Sequence, residues 1–234
     1  MIELYGKQVM TTLPEIAAPE HSALLVIDMQ NDLCSDDGVF AKQGADMTSY
    51  HGMIPRLDAL IGSAREAGVL IVFVQATTLP GGESRSPAQI LFELRMRESY
   101  AHPLDEPFDF CIPGTWGHEI VDGLGRGPDD LTVLKHRSSA FQGTNLDLVL
   151  RSNGIKTVVA TGCTTEGCVD STIREAGFLD YYPVAARDCV ASDNPPLHDA
   201  AMVILEAYRA VVVDSGELTG VWTGAGDRAA AETR

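Results

Sequence analysis

The sequence predicts an α/β fold, a three-layer α/β/α sandwich with a central, mostly parallel six-stranded sheet. Six short apolar runs alternate with longer amphipathic segments, and most of the runs are apolar on both faces. Strands that are buried on both faces are typical of parallel sheets, and parallel neighbours need a long crossover that is usually a helix. Together these observations favour one layer of helices on each face of the sheet.

The elements follow one another in a regular order along the chain. The predicted strands lie at Ala23–Asp28, Val69–Gln75, Asp130–Lys135, Lys156–Thr161, Tyr182–Ala186 and Ala210–Val213. Apolar residues at helical spacing predict helices at Met53–Ala67, Ala88–Glu98, Thr144–Asn153, Gly167–Ala176 and His198–Arg209. Glycine follows three of these helices, at positions 68, 154 and 177, and glycine is the common residue after a helix end.

The chain divides into one domain with two less regular ends. We expect an N-terminal extension at 1–20, the domain at 21–222 and a flexible C-terminal tail at 223–234, because both ends lack apolar periodicity. Inside the domain, the Leu79–Trp116 segment is long and contains five prolines. Long irregular segments are often functional, so this one is either a lid over a site or an oligomer contact.

Composition excludes several classes of partner. The 234 residues include 17 Lys and Arg against 33 Asp and Glu, a net charge of −16. A surface this acidic repels phosphate groups, so we expect no nucleic acid and no membrane as partner. Five cysteines form no regular disulfide framework and no signal peptide opens the chain, so we expect free thiols and a cytoplasmic location.

Three chemically reactive residues lie at the ends of predicted strands. Asp28 ends the first strand, Lys135 ends the third, and Cys168 follows the fourth through a Gly- and Thr-rich turn. In open parallel sheets, ligands bind beyond the carboxyl ends of the strands, so these side chains can converge there. Taken alone, an Asp after a strand is most often a helix cap, a Lys at a strand end is usually solvated, and a Cys in such a turn is often a small buried residue. The occurrence of all three at strand ends is what indicates a site.

The chemistry of a thiol fits this arrangement. We expect Cys168 to begin a helix, where the helix N-terminus and Lys135 both lower the thiol pKa. Asp28 can then accept the thiol proton and pass it to a leaving nitrogen.

Three motifs resemble those of the isochorismatase-like cysteine hydrolases, in the branch of the N-carbamoylsarcosine and ureidoacrylate amidohydrolases. They are Val26–Asp32 (VIDMQND), Lys135–Phe141 (KHRSSAF) and Thr161–Thr172 (TGCTTEGCVDST). The resemblance covers nearly the whole domain, about Ala23 to Ser215. It implies Asp28 as the base, Lys135 as the charge stabiliser and Cys168 as the nucleophile.

The resemblance also implies a cis peptide bond between Cys163 and Thr164, which directs the backbone N–H groups of Thr164 and Cys168 to an oxyanion. It implies a homodimer or homotetramer, and a small amide or ureido substrate. The expected reaction is hydrolysis of a C–N bond through a thioester. Two alternatives stay open: an isochorismatase-type vinyl ether hydrolase, and a silent family member that only binds.

The residues around the motifs narrow the choice of branch. Metal-dependent nicotinamidases carry an Asp-x-His pattern after the second strand, whereas this chain continues Gln75–Pro80 (QATTLP), so we expect neither a metal nor another cofactor. Arg137 is a candidate for binding a substrate carboxylate, and a structural ion pair is its alternative. Phe141 and Trp116 are candidates for lining the pocket, and both could equally be core residues.

Overall fold

The structure is a computed structural model that describes residues 1–97 and 108–224. Its strands are β1 (Ile2–Leu4), β2 (Lys7–Val9), β3 (Ser22–Ile27), β4 (Leu70–Ala76), β5 (Leu131–Lys135), β6 (Thr157–Cys163), β7 (Tyr182–Ala191) and β8 (Val211–Val213). Strands β3 to β8 form one sheet in the order β5-β4-β3-β6-β7-β8, and every neighbouring pair is parallel. The predicted fold class is therefore confirmed.

The helices lie between and beside these strands. Three are short: α1 (Leu13–Ile16), α2 (Asn31–Cys34) and α3 (Val39–Lys42). The longer helices are α4 (Thr48–Glu66), α5 (Pro87–Arg97), α6 (Leu146–Ser152), α7 (Asp170–Phe178), α8 (Pro195–Tyr208) and α9 (Ser215–Trp222). Among the described residues, no helix combines the length and the apolar character that crossing a bilayer requires.

The sheet separates two apolar layers. Because side chains alternate along a strand, Leu24 and Val26 of β3 face one layer while Leu25 and Ile27 face the other. The first layer is covered by α4 and α9, and the second by α6, α7 and α8. Strand β3 lies at the centre with β4 on one side and β6 on the other. The chain therefore winds outward in both directions from β3, which creates a crevice at its carboxyl end.

Several boundaries differ from the sequence prediction. The N-terminal extension contains an antiparallel hairpin, β1 with β2, and Ile16 and Ala17 after it are buried in the core. Helix α9 has no counterpart in the prediction, and β7 continues five residues beyond Ala186. Helix α5 corresponds to the predicted Ala88–Glu98 helix, whose last residue lies outside the described residues, as do positions 98–107 of the irregular segment and 225–234 of the tail.

Candidate active site

Asp28 occupies the turn immediately after the central strand β3. Its backbone has φ 57°, in the left-handed region that non-glycine residues rarely adopt. Two backbone hydrogen bonds hold this turn: Asp28 N–H donates to Val74 O at 2.8 Å, and Gln30 N–H donates to Asp28 O at 2.8 Å. The carboxylate is thus directed from the end of β3 into the crevice, and only 2% of the residue is exposed.

Lys135 is the last residue of β5 and connects the two other reactive groups. Its ammonium lies 2.8 Å from Asp28 Oδ2 and 3.1 Å from Cys168 Sγ, and it also donates to Arg137 O at 3.1 Å. The residue is 3% exposed, so these contacts replace its hydration. Three side chains from three different strand ends therefore meet, as the sequence argument expected from their positions.

Cys168 lies in a π-helical turn, Thr165–Val169, between β6 and α7. The expectation that it begins an α-helix is corrected, because α7 begins two residues later at Asp170. Of the five cysteines, all free, it alone is partly exposed, while the other four are buried. A reagent or substrate in the crevice therefore has access to this thiol before the others.

The electrostatic surroundings correct the expected direction of the thiol pKa. Burial, and next the negative charge of Asp28, raise the pKa of Cys168 to about 12, although Lys135 acts in the opposite direction. Burial alone would lower the pKa of Lys135, but the charge of Asp28, and that of the Cys168 thiolate once it forms, outweigh burial and raise the pKa of Lys135. The resting site therefore holds an ammonium and a neutral thiol, and the thiol needs a base.

A base is available in the same cluster. Asp28 Oδ2 is occupied by Lys135, but Oδ1 is shielded from solvent and has no hydrogen-bond partner among the described residues. A buried carboxylate oxygen without a partner is costly, because it has lost its hydration. Oδ1 is therefore a ready acceptor for a proton from a neighbouring group.

The chain segment before Cys168 provides backbone donors. The Cys163–Thr164 peptide bond is cis, at the position that the motif resemblance implies. The Thr164 N–H donates to no described acceptor. Gly162 has φ 102°, and a Cβ there would lie 2.0 Å from Ile27 O, so only glycine allows β6 to approach β3 this closely. The turn that carries Thr164 and Cys168 is thus fixed against the strand that ends in Asp28.

These groups open into a cavity of about 220 Å³. Asp28, Lys135, Thr164 and Cys168 all line it. Its remaining lining includes three aromatic side chains, two arginines and three acids, namely Phe40, Tyr50, Phe110, Arg85, Arg137, Glu93, Glu166 and Asp193. A small cavity of mixed apolar and charged lining suits a compact polar substrate.

Arg137 lies in the wall of this cavity and has no acidic partner in the part of the chain that the structure describes. Its Nη1 donates to Ser84 O at 2.9 Å and to His136 O at 2.5 Å. No ion pair between Arg137 and an acid occurs within residues 1–97 and 108–224. The guanidinium is therefore oriented by carbonyl groups, and no acid of the described ranges compensates its charge.

The structure places the two aromatic candidates outside the described lining of the cavity. Phe141 is 7% exposed and stacks on Tyr181 with ring centroids 5.8 Å apart, so it belongs to the core layer around α6 and α7. Trp116 is 47% exposed on a 3₁₀ turn, Trp116–His118. Neither is among the described residues that line the cavity.

Two glutamines beside the site had not been recognised from the sequence. The Gln30 and Gln75 side-chain amides both donate to His118 O, at 3.0 and 2.7 Å, and Gln30 also donates to Ala76 O at 3.0 Å. They fasten the 3₁₀ turn Trp116–His118 to the carboxyl ends of β3 and β4. Their positions in the sequence could have indicated this role, because each glutamine lies at or just after the carboxyl end of a strand that leads to the site.

The described side chains offer no ready metal site. Within the two described ranges, no group of three or more His, Cys, Asp and Glu residues is placed to hold a metal ion. The segment after β4 contributes threonines instead: Thr77 Oγ1 lies 3.0 Å from His118 Nε2, and both Thr77 and Thr78 line the cavity. Burial lowers the pKa of His118.

Comparison with known proteins identifies the family of the chain and its relatives. The isochorismatase domain profile matches residues 22–217. A ureidoacrylate amidohydrolase from Enterobacter sp. (strain 638) is 33% identical over 213 residues, which cover 85% of this chain and 90% of that protein. The structure of an N-carbamoylsarcosine amidase from Thermoplasma acidophilum is 26% identical with a TM-score of 0.63, covering 83% of this chain and 96% of that one.

A further solved structure shares the fold at lower identity. The cysteine hydrolase from Pseudomonas syringae pv. phaseolicola 1448A has a TM-score of 0.74 at 20% identity, covering 88% of this chain and 94% of that chain. At this identity the likeness concerns the fold alone.

Proposed function

Because the chain belongs to the isochorismatase family, we propose that it is a cysteine-dependent amidohydrolase that cleaves a C–N bond of a small amide, carbamoyl or ureido compound. One observation carries the proposal: a single ammonium, Lys135 Nζ, lies 2.8 Å from a carboxylate and 3.1 Å from the most accessible thiol of the chain. This arrangement supports nucleophilic catalysis by Cys168, with Asp28 as base and Lys135 as charge stabiliser.

Acylation of the thiol is the first half of the proposed reaction. Cys168 Sγ forms a bond to the substrate carbonyl carbon while its proton moves to Asp28 Oδ1. The carbonyl oxygen becomes an oxyanion that accepts hydrogen bonds from the Thr164 and Cys168 N–H groups. The C–N bond then breaks, and the proton held by Asp28 moves to the leaving nitrogen. The raised pKa of Cys168 supports this order, because a neutral thiol must lose its proton during attack.

Deacylation restores the site. Asp28 removes a proton from a water molecule, whose oxygen attacks the thioester carbonyl, and the same backbone donors receive the second oxyanion. The C–S bond breaks, the thiol regains a proton from Asp28, and the acid product leaves. Lys135 keeps its proton throughout, because its pKa is raised. Its positive charge stabilises the negative charges that form on Cys168 and Asp28.

The cavity also supports a class of substrate. Arg137 lines the cavity and forms no ion pair with a described acid, and a guanidinium pairs with carboxylates through two parallel hydrogen bonds. Ureidoacrylate, named in the relative at 33% identity, carries both a ureido group and a carboxylate. We therefore propose that the preferred substrates are small ureido or carbamoyl compounds with a carboxylate at the far end.

The test is ammonia release from a panel of small compounds. The panel contains N-carbamoyl amino acids, the same compounds as methyl esters, and nicotinamide. Isochorismate, which contains no nitrogen, is the probe for vinyl ether cleavage and is followed by pyruvate release instead. We expect turnover of the free carboxylates, and a loss of at least about a hundredfold in Cys168→Ser and in Asp28→Asn. Cys189→Ala, which alters a buried cysteine outside the cavity, is the control.

The same assay includes a metal-removal arm. Activity should survive exhaustive dialysis against EDTA. Turnover of isochorismate alone, or a Cys168→Ser variant with wild-type ammonia release, would refute the proposed chemistry, and activity that returned only with added zinc would refute its metal independence.

A further inference from the structure

A second arginine, Arg85, lies in the cavity wall, where its guanidinium contacts two acids and a carbonyl group of the protein, although its buried Nε–H group forms no hydrogen bond within the described residues. Its Nε lies 2.9 Å from Glu93 Oε2, its Nη1 lies 2.6 Å from Asp109 Oδ1, and its Nη2 donates to Phe108 O at 2.5 Å. The guanidinium carbon is 5.9 Å from the centre of the Phe110 ring. Only 9% of the side chain is exposed, so these contacts take the place of water.

These contacts join two separate parts of the wall. Glu93 lies on α5, which also contributes Gln89 and Met96 to the cavity lining. On the other side of Arg85, Phe110 lines the cavity and packs against Phe40 with ring centroids 5.3 Å apart. Arg85 therefore connects α5 to the aromatic side of the cavity wall, and all of these contacts are made by residues that the structure describes.

The same segment also orients the substrate-binding candidate. Ser84, the residue directly before Arg85, accepts a hydrogen bond from Arg137 Nη1 through its carbonyl oxygen at 2.9 Å. The Ser84 hydroxyl in turn accepts a hydrogen bond from Leu79 N–H at 3.1 Å. The position of the Ser84 carbonyl, and through it the direction of the Arg137 guanidinium, depends on where the Arg85 backbone is held.

We propose that Arg85 is a positioning residue for substrate specificity: it clamps α5 to Phe108–Phe110 and thereby holds the Ser84 carbonyl that orients Arg137 toward a substrate carboxylate. The inference rests on the proposed function in assigning the substrate carboxylate to Arg137. Arg85 does not bind the substrate itself, because its two acidic partners compensate its charge. Of the two arginines in the described part of the cavity wall, Arg137 is the one without an acidic partner.

Only an arginine can make this set of contacts. The planar guanidinium presents donors in several directions at once, whereas a lysine ammonium at the end of a flexible chain cannot reach Glu93, Asp109 and the Phe108 carbonyl together. Removing the charge would leave Glu93, 15% exposed, without its cation. Both Arg85→Lys and Arg85→Gln should therefore loosen the wall, the glutamine variant more.

The first readout is steady-state kinetics with an N-carbamoyl amino acid. In Arg85→Gln we expect KM to rise about tenfold to a hundredfold, the value of one to two hydrogen bonds to a charged group, and kcat to fall by less. The methyl ester of the same compound should show a smaller rise in KM. Arg187→Gln, which breaks an exposed pair with Glu206, is the matched control and should leave both constants unchanged.

The second readout needs no turnover and thus separates this inference from the proposed function. Iodoacetate and iodoacetamide both form an S–C bond at Cys168 with loss of iodide and of the thiol proton, but only iodoacetate carries a carboxylate. The ratio of their rates, iodoacetate over iodoacetamide, should fall several-fold in Arg85→Gln and fall at least as far in Arg137→Gln.

The outcomes are distinct. A wild-type rate ratio and wild-type KM in Arg85→Gln would overturn the inference even if the ureides are substrates. If no ureide is a substrate, the rate ratio still decides it. If Arg85→Gln fails to fold by circular dichroism, Glu93→Gln and Asp109→Asn each remove one arm of the clamp, and unchanged ratios in both would overturn it.

Discussion

At the scale of single residues, we predict that Lys135 controls how much of the Cys168 thiol is ionised. Burial and the Asp28 charge raise the pKa of Cys168 to about 12, and Lys135, 3.1 Å from Sγ, is the group that lowers it. Below that pKa the thiolate fraction rises about tenfold with each pH unit. Alkylation of free enzyme should therefore keep accelerating above pH 9 rather than level off near it.

Lys135→Ala should shift the alkylation curve of Cys168 to higher pH by about 1–3 units, because an adjacent opposite charge is lost. The rate constant is measured by peptide mapping after brief iodoacetamide labelling across the pH range. Lys135→Arg should restore it only in part, since a planar guanidinium does not fit the contacts of a compact ammonium. Lys156→Ala, at the exposed amino end of β6, is the control. Superimposable curves for wild type and Lys135→Ala would contradict this role.

The positions of the reactive residues were predictable, but the sign of the thiol pKa was not. Asp28, Lys135 and Cys168 follow apolar runs, and the carboxyl ends of parallel strands meet at one edge of a sheet. Desolvation depends on which side chains close over the thiol, and those come from distant parts of the chain. Phe141 illustrates the same limit, since its place in a motif does not reveal that its ring turns to Tyr181 in the core.

At the scale of elements, the 3₁₀ turn Trp116–His118 is fitted tightly against helix α2. Asp32 of α2 is buried, and its Oδ2 accepts a hydrogen bond from Cys111 N–H at 2.7 Å. A Cβ at Gly117 would lie 2.1 Å from the same oxygen. The turn thus approaches the carboxylate more closely than any side chain allows, and it carries the His118 carbonyl that Gln30 and Gln75 hold.

Gly117→Ala should lower the free energy of unfolding by about 1–3 kcal/mol, because the added methyl group forces the turn or Asp32 to move. Gly220→Ala is the control: Gly220 lies inside α9 with open space around its Cβ position, and alanine there should raise the free energy of unfolding by about 0.5–1 kcal/mol. Both values come from urea denaturation followed by circular dichroism. Equal free energies of unfolding for Gly117→Ala and wild type would contradict the close contact between this turn and the Asp32 carboxylate.

Helix α9 and the π-helical turn were not predicted from the sequence, because local sequence patterns do not determine either of them. Helix α9 contains Gly216 and Gly220, which disfavour a helix, yet Leu218 and Trp222 are buried four residues apart and Asp214 with Glu217 forms a capping box. Tertiary burial therefore outweighs local propensity there. Hydrophobic periodicity does not predict the π-helical turn at Cys168 either. The turn has only five residues, and it lies directly between a strand and a helix.

At the scale of the whole molecule, helix α8 presents an apolar stripe to solvent. Its exposed residues at helical spacing are Ala200, Val203, Ile204, Ala207 and Tyr208. Val203 is 67% and Tyr208 81% exposed. The residues of this stripe are uncharged, whereas the chain as a whole has a net charge of −16. Two copies of the chain therefore repel each other least when their α8 stripes face each other. Helix α8 also reaches the site, since His198 Nδ1 lies 2.8 Å from Thr165 Oγ1 in the nucleophile turn.

We therefore propose a homodimer or homotetramer in which α8 of one copy packs on a second copy, since closed symmetric assemblies are the common state of soluble oligomers. Light scattering at micromolar concentration should give at least twice 25.1 kDa, and Val203→Glu should lower that mass because it buries a charge. Phe92→Glu tests another exposed apolar side chain, on α5 within the Leu79–Trp116 segment. A mass near 25.1 kDa for wild type would refute the assembly, and a mass lowered only by Phe92→Glu would move the contact from α8 to α5.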